Sequence, residues 1–177
     1  VGSWRLGSRS TFRALVVPMR ETNPFLQLER CHRRLEEACD ALSIASADRD
    51  GQTITDVKSF LDRQIKRHEE DEDESLFPRL RQIDAAKSLI PVVARLTEEH
   101  RQHEALHAEL AKVISEVPAP SNDQAWSAIE SVCERIARAY RAHIEVEEKE
   151  LFPEAQRLLT DDARDAMLAE MSARRGK

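Results

Sequence analysis

Two eleven-residue stretches of this chain carry the same pattern. His68-Glu69-Glu70-Asp71-Glu72-Asp73-Glu74-Ser75-Leu76-Phe77-Pro78 aligns without gaps on His143-Ile144-Glu145-Val146-Glu147-Glu148-Lys149-Glu150-Leu151-Phe152-Pro153. Both read H-x-x-x-E-[DE]-x-x-L-F-P. Residues four apart on a helix stack on one face, so His68 projects with Glu72 and His143 with Glu147. Two more histidines repeat in the same sense, as Leu28-x-x-x-His32 and Leu96-x-x-x-His100. Imidazole and carboxylate groups on facing helices are ligands with which a bundle holds a pair of iron or manganese ions. Buried without a cation, they would cost several kcal/mol per group.

The elements that must position these residues are long amphipathic helices. Leu28, His32, Leu35, Cys39 and Leu42 form one apolar stripe at helical spacing. Ile54, Val57, Leu61, Ile65, His68, Glu72, Leu76, Leu80 and Ile83 form a second. The third is Val93, Leu96, His100, His103, His107, Leu110 and Ile114, and the fourth Ile129, Val132, Ile136, Tyr140, His143, Glu147 and Leu151. Breaks fall at Ser46 to Gly51, at Asp84 to Ser88 and at Val117 to Asn122, where Pro118 and Pro120 mark the clearest loop. Short connections make neighbours antiparallel, so the expected fold is all-α: an up-down-up-down four-helix bundle with a short C-terminal helix from Thr160. At equal rise per residue, His32, His68, His100 and His143 all reach one level of that bundle.

Other residues near this level have plainer readings. His103 and His107 share the third stripe and are candidates for a fifth imidazole or a hydrogen-bond donor to a ligand. Tyr140 reads first as a packed aromatic, Cys39 as a small buried filler, and Glu36 and Glu104 as surface charges. Apart from Glu72, the acidic run Glu69 to Glu74 reads mostly as a solvated face. Leu76-Phe77 and Leu151-Phe152 read as apolar bulk over the site, with Pro78 and Pro153 sharpening or kinking the helix ends.

Composition agrees with helices. Of 177 residues, 41% are hydrophobic, 5% aromatic and only four are glycine, which leaves no glycine-rich phosphate loop. Between residues 8 and 175 the sole glycine is Gly51, expected in the loop of the first hairpin. The net charge is -6, and Arg5, Arg9, Arg13 and Arg20 lie in an acid-free N-terminal segment, so the remainder is more negative still. That disfavours nucleic acid and anionic membrane surfaces as partners. Cys31, Cys39 and Cys133 form no C-x-x-C pair, which fits a reducing compartment, and no apolar stretch is long enough to span a membrane. Residues 1–20 are expected to be a disordered extension, residues 21–177 the bundle domain, and the location cytoplasmic.

The set His32, His68-x-x-x-Glu72, His100 and His143-x-x-x-Glu147, with both L-F-P tails, resembles the hemerythrin-like (HHE cation-binding) domain family over about residues 24 to 158. The resemblance implies that these six residues ligate an oxo- or hydroxo-bridged centre of two iron ions, with the glutamates bridging the metals. It implies a protein that binds or senses a small molecule such as dioxygen, nitric oxide or peroxide; the alternative is an iron-handling or peroxide-consuming enzyme. Oxygen-carrying members typically use five histidines, with an H-x-x-x-H pair on the third helix. Here His103-x-x-x-His107 has that spacing, but His100 has the better register and Leu96 stands four residues before it, a departure from the carrier pattern.

Overall fold

The first helix starts for reasons local to its sequence. In the computed structural model, which describes residues 23–115 and 123–176, the Asn23 side chain accepts from the Phe25 N–H at 3.0 Å. Pro24 takes the first turn, where a missing N–H costs no helical bond. Helix α1 (Pro24–Asp48) ends at Arg49, whose φ of 56° is left-handed and whose N–H returns to the carbonyls of Ala45 and Ser46. Asp50 then caps α2 (Gly51–Phe60), accepting from the Gln52 and Thr53 N–H groups at 3.1 Å each. Gly51 is therefore the first residue of a helix and not a loop residue, and the left-handed position belongs to Arg49.

The second rod continues from α2 through α3 (Lys66–Asp71) to α4 (Phe77–Arg81), joined by π-helical turns at Leu61–Ile65 and Glu72–Leu76. A 3₁₀ turn, Asp84–Leu89, leads into α5 (Ile90–Ser115). The fourth rod is α6 (Asp123–Val146), a π turn at Glu147–Leu151, and α7 (Phe152–Leu158). Thr160 caps α8 (Asp161–Arg175), accepting from the Ala163 N–H at 3.2 Å, with Asp161 and Asp162 in the first turn. The described residues thus form five helical rods and no strand, and no helix among them is long and apolar enough to cross a membrane. The N-terminal segment 1–20 and the Val117 to Asn122 loop lie outside the described residues.

The π turns revise the expectation of regular helices ending near the prolines. The Phe77 N–H donates to the Glu72 carbonyl and the Phe152 N–H to the Glu147 carbonyl, each five residues back. The next residue in each case is a proline with no N–H to give, and the wider turn absorbs the break so that the rod runs on to Arg81 or Leu158. Helix α6 packs against α1 and α5, and α1 also against α2. The interior divides into two apolar clusters, one including Leu35, Leu42, Ile54, Leu61 and Ile136, the other including Phe25, Leu28, Phe77, Phe152 and Met167. In the first three rods His32, His68 and His100, and in the second and fourth Glu72 and Glu147, fall between the part that feeds one cluster and the part that feeds the other.

Candidate metal centre

Between those clusters the structure brings together all six residues singled out by spacing. His32, His68, Glu72, His100, His143 and Glu147 are each 5% exposed or less, and both glutamates are fully buried. His32 Nε2 stands 3.1 Å from His68 Nε2, and His100 Nε2 stands 3.3 Å from His143 Nε2. Each glutamate spans the two imidazole pairs. Glu72 sets Oε1 3.5 Å from His68 Nε2 and Oε2 3.4 Å from His100 Nε2. Glu147 sets Oε2 3.0 Å from His32 Nε2 and Oε1 3.1 Å from His143 Nε2. The result is two sets of four donor groups, His32–His68–Glu72–Glu147 and His100–His143–Glu72–Glu147, each with its donor atoms within 4.8 Å of one another.

These residues fit a cation. Among the described residues, all four oxygens of Glu72 and Glu147 are buried without a hydrogen-bond partner. Orphaned carboxylate oxygens in an apolar interior are among the costliest groups a fold can keep, and a positive ion among them supplies what the protein does not. Mixed imidazole and carboxylate donors suit iron, manganese or zinc.

The remainder of the repeated motif acts on the histidines of the opposite half of the chain. The acid after each glutamate holds a facing imidazole: His100 donates Nδ1–H to Asp73 at 2.9 Å, and His32 to Glu148 at 2.8 Å. The phenylalanine of each L-F-P stacks on the same ring. Phe77 lies over His100 with centroids 5.8 Å apart and planes 11° apart, and Phe152 over His32 at 5.4 Å and 10°. Each imidazole is thus fixed in tilt by an aromatic face and in tautomer by a carboxylate, leaving Nε2 aimed at the cluster.

The family model that describes the hemerythrin HHE cation-binding domain matches residues 23–155. The chain belongs to this family. A relative from Haemophilus influenzae, described as an uncharacterized protein, is 27% identical over 160 residues, covering 86% of this chain and 90% of its own. Helix α8 lies beyond the matched HHE segment, yet Arg174 and Arg175 on it pair with the fully buried Asp71 at 2.8 and 2.6 Å.

That pairing corrects the reading of the acidic run in the HHE domain as mainly solvated. Asp71 is clamped by two arginines and Asp73 holds His100. Glu69 accepts from His103 Nδ1 at 2.9 Å and from the Tyr140 hydroxyl at 3.4 Å. Spacing alone also missed Glu99, which accepts from His143 Nδ1 at 2.7 Å. The repeated [DE] after each glutamate is the signal that marks Asp73 and Glu148; nothing comparable marks Glu69 or Glu99.

His103 and His107 stand in neither four-residue set. His103 is buried, packs edge-on against His143 with centroids 4.9 Å apart, and is held by Glu69. His107 Nε2 is 2.9 Å from the Tyr140 hydroxyl, so the tyrosine joins a polar chain and is not only a packed ring. Glu36 pairs with Arg33, and Glu104 is a surface charge near Lys66, as their spacing suggested. Cys39 is a buried thiol in the apolar core.

The metal-free cluster of the HHE domain resolves its charges unevenly. Burial opposes charge on His100 and His143. The Asp73 carboxylate that accepts from its Nδ1–H and the nearby carboxylate of Glu72 outweigh it for His100, lifting its pKa to about 11, and the carboxylates of Glu147 and Glu99 lift His143 to about 10. Glu72 is pushed up to about 8 by burial and by the charge of Glu147. Burial also works against Glu147, but the His143 and His32 imidazoles hold its carboxyl well below the ordinary range. A groove of about 490 Å³, lined by Asp62, Glu69, Asp73, Thr97, His100 and His107 among others, brings solvent to the His100 side of the centre.

Proposed function

We propose that this chain is a non-haem di-iron protein, built as an up-down-up-down four-helix bundle, that binds or senses a small molecule such as dioxygen, nitric oxide or peroxide. The observation that carries the reading is the sharing of Glu72 and Glu147 between two complete donor sets. Two donor sets that share two carboxylates fit a pair of ions held side by side. Iron, when bound, supplies one-electron chemistry and an affinity for dioxygen, nitric oxide and peroxide.

The protein's own residues set what reaches such a centre. The two apolar clusters close it above and below, and Phe77 and Phe152 cover His100 and His32. The groove at His100 gives a small diatomic or peroxide a polar approach. With only two imidazoles in each donor set and His103 turned to Glu69, the arrangement departs from the five-histidine carrier pattern and favours sensing over reversible transport.

A second reading, a peroxide-consuming or iron-handling enzyme, draws on the polar chain His107–Tyr140–Glu69–His103. It runs from the groove to the edge of His143 and could move a proton inward from His107 Nε2 through the Tyr140 hydroxyl to Glu69 Oε1. The two readings separate in one experiment. The optical spectrum of iron-loaded protein is followed on adding dioxygen, nitric oxide or peroxide. A stable, stoichiometric new band supports binding or sensing; repeated consumption of peroxide with return of the starting spectrum supports the enzyme. No spectral response to any of the three overturns both.

A further inference from the structure

The two halves of the chain repeat, but the support behind their histidines does not. In the second half, His100 donates Nδ1–H to Asp73 and His143 donates to Glu99, so both imidazoles of that donor set rest on a carboxylate. In the first half, among the described residues, only His32 has such support, from Glu148, and the same Glu148 oxygen also accepts from the Arg33 guanidinium. His68, 2% exposed, has no hydrogen-bond partner at Nδ1 among the described residues.

The repeat shows where the missing partner would come from. Glu99 directly precedes His100 and reaches across to the histidine of its own half's H-x-x-x-E motif, His143. The residue that directly precedes His32 is Cys31, a free thiol. A thiol at this position offers neither the charge nor the reach of a glutamate. The carboxylate nearest His68 in sequence that is fully buried, Asp71, is already neutralised by Arg174 and Arg175.

An outer carboxylate fixes an imidazole's tautomer and rotation and raises its basicity as a ligand; losing one typically costs about 10–100-fold in metal affinity. Glu99 keeps Oε2 on His143 and pairs with Arg95 only through its other oxygen, at 3.7 Å, so the oxygen that holds the imidazole is not shared with a cation as it is in Glu148. We propose that the two metal positions are unequal and fill in order: the His100–His143 position first, the His32–His68 position about 10–100-fold more weakly. The chain then carries one ion at low metal supply and two at high supply. The difference is set by Glu99 in one half and Cys31 in the other. This inference rests on the two-ion reading above.

The test is anaerobic titration of metal-free protein with ferrous iron alone, with bound iron counted per chain at each free concentration and no activity assayed. The expected isotherm has two steps separated by about 10–100-fold. Glu99→Gln, at a partly exposed residue whose loss leaves the core intact, weakens the first step toward the second. Cys31→Glu strengthens the second step toward the first. His68→Ala removes the weak step, whereas His143→Ala removes the tight one. A single step in the wild type, or a tight step that survives His143→Ala and disappears in His68→Ala, overturns the ordering while leaving two ions bound. Absence of any bound iron instead overturns the two-ion reading itself.

Discussion

Glu148 holds the Nδ1–H of His32 at 2.8 Å although 116 residues separate them, and Asp73 holds His100 in the same way at 2.9 Å. Each half of the chain thereby orients the histidine of the other. The H-x-x-x-E-[DE]-x-x-L-F-P motif is two devices in one. Its histidine and glutamate face the cluster, and its second acid and its phenylalanine grip an imidazole across the interface.

Removing either outer acid should therefore weaken metal binding without unfolding the chain. Asp73→Asn and Glu148→Gln keep shape and volume but lose the charge that fixes the imidazole. Each is expected to lower metal affinity by about 10–100-fold, with helical circular dichroism unchanged. Metal-binding isotherms check this, and wild-type affinity in both variants would show that the acids are surface groups only.

The arginines of α8 should matter through Asp71. That carboxylate is fully buried and meets Arg174 at 2.8 Å and Arg175 at 2.6 Å. Replacing both arginines by alanine strands a buried charge and is expected to cost about 3–5 kcal/mol in denaturant unfolding. Adding Asp71→Asn to the double variant removes that charge and should restore a large part of the loss. If the triple variant is no more stable than the double one, the arginines act through packing and not through charge.

The pH dependence of the metal-free protein has a definite sign. His100 and His143 titrate near 6.5 when unfolded, but in the fold their carboxylate partners overcome burial and hold them protonated to about 11 and about 10. Glu72, raised to about 8 by burial and by Glu147, also keeps a proton that the unfolded chain gives up near 4.5. Above about pH 7 the folded state binds more protons than the unfolded one, so stability falls as pH rises. His68, His103 and His107, all pushed down by burial first, are neutral in both states there and add nothing. Metal ions compete with the retained protons for the same atoms, so metal binding strengthens over the same window. Melting curves from about pH 7 to about pH 9 should show the metal-free Tm falling while the gain in Tm on adding metal grows. A metal-free Tm that rises across that window contradicts the charge assignment.

Much of this was legible in the sequence because a helix writes its buried face at a fixed period. All the apolar stripe residues named from spacing are buried except Ile83, His107 and Ile114, which are half-buried near rod ends or the groove. The π turns were written there too, in a subtler form. His68, Glu72, Leu76 and Leu80 step by four three times, and in an α-helix each such step overshoots by about 40°. They stay on one face because the turn at Glu72–Leu76 takes up a residue. Glu69, Glu99 and Asp71 were not legible. Each lies just off the apolar stripe, where an acid reads as solvated, and only the neighbouring rods that supply His103, His143 and the two arginines give it a partner.

The claim at the centre of this account is that Glu72 and Glu147 are shared between two metal positions. The direct measurement is metal content per chain, by elemental analysis after anaerobic loading with ferrous iron, for the wild type and for Glu72→Gln/Glu147→Gln. The account predicts two irons per wild-type chain and none retained by the double variant, at equal helical content. A double variant that keeps its iron, or a folded wild type that binds none, would contradict it.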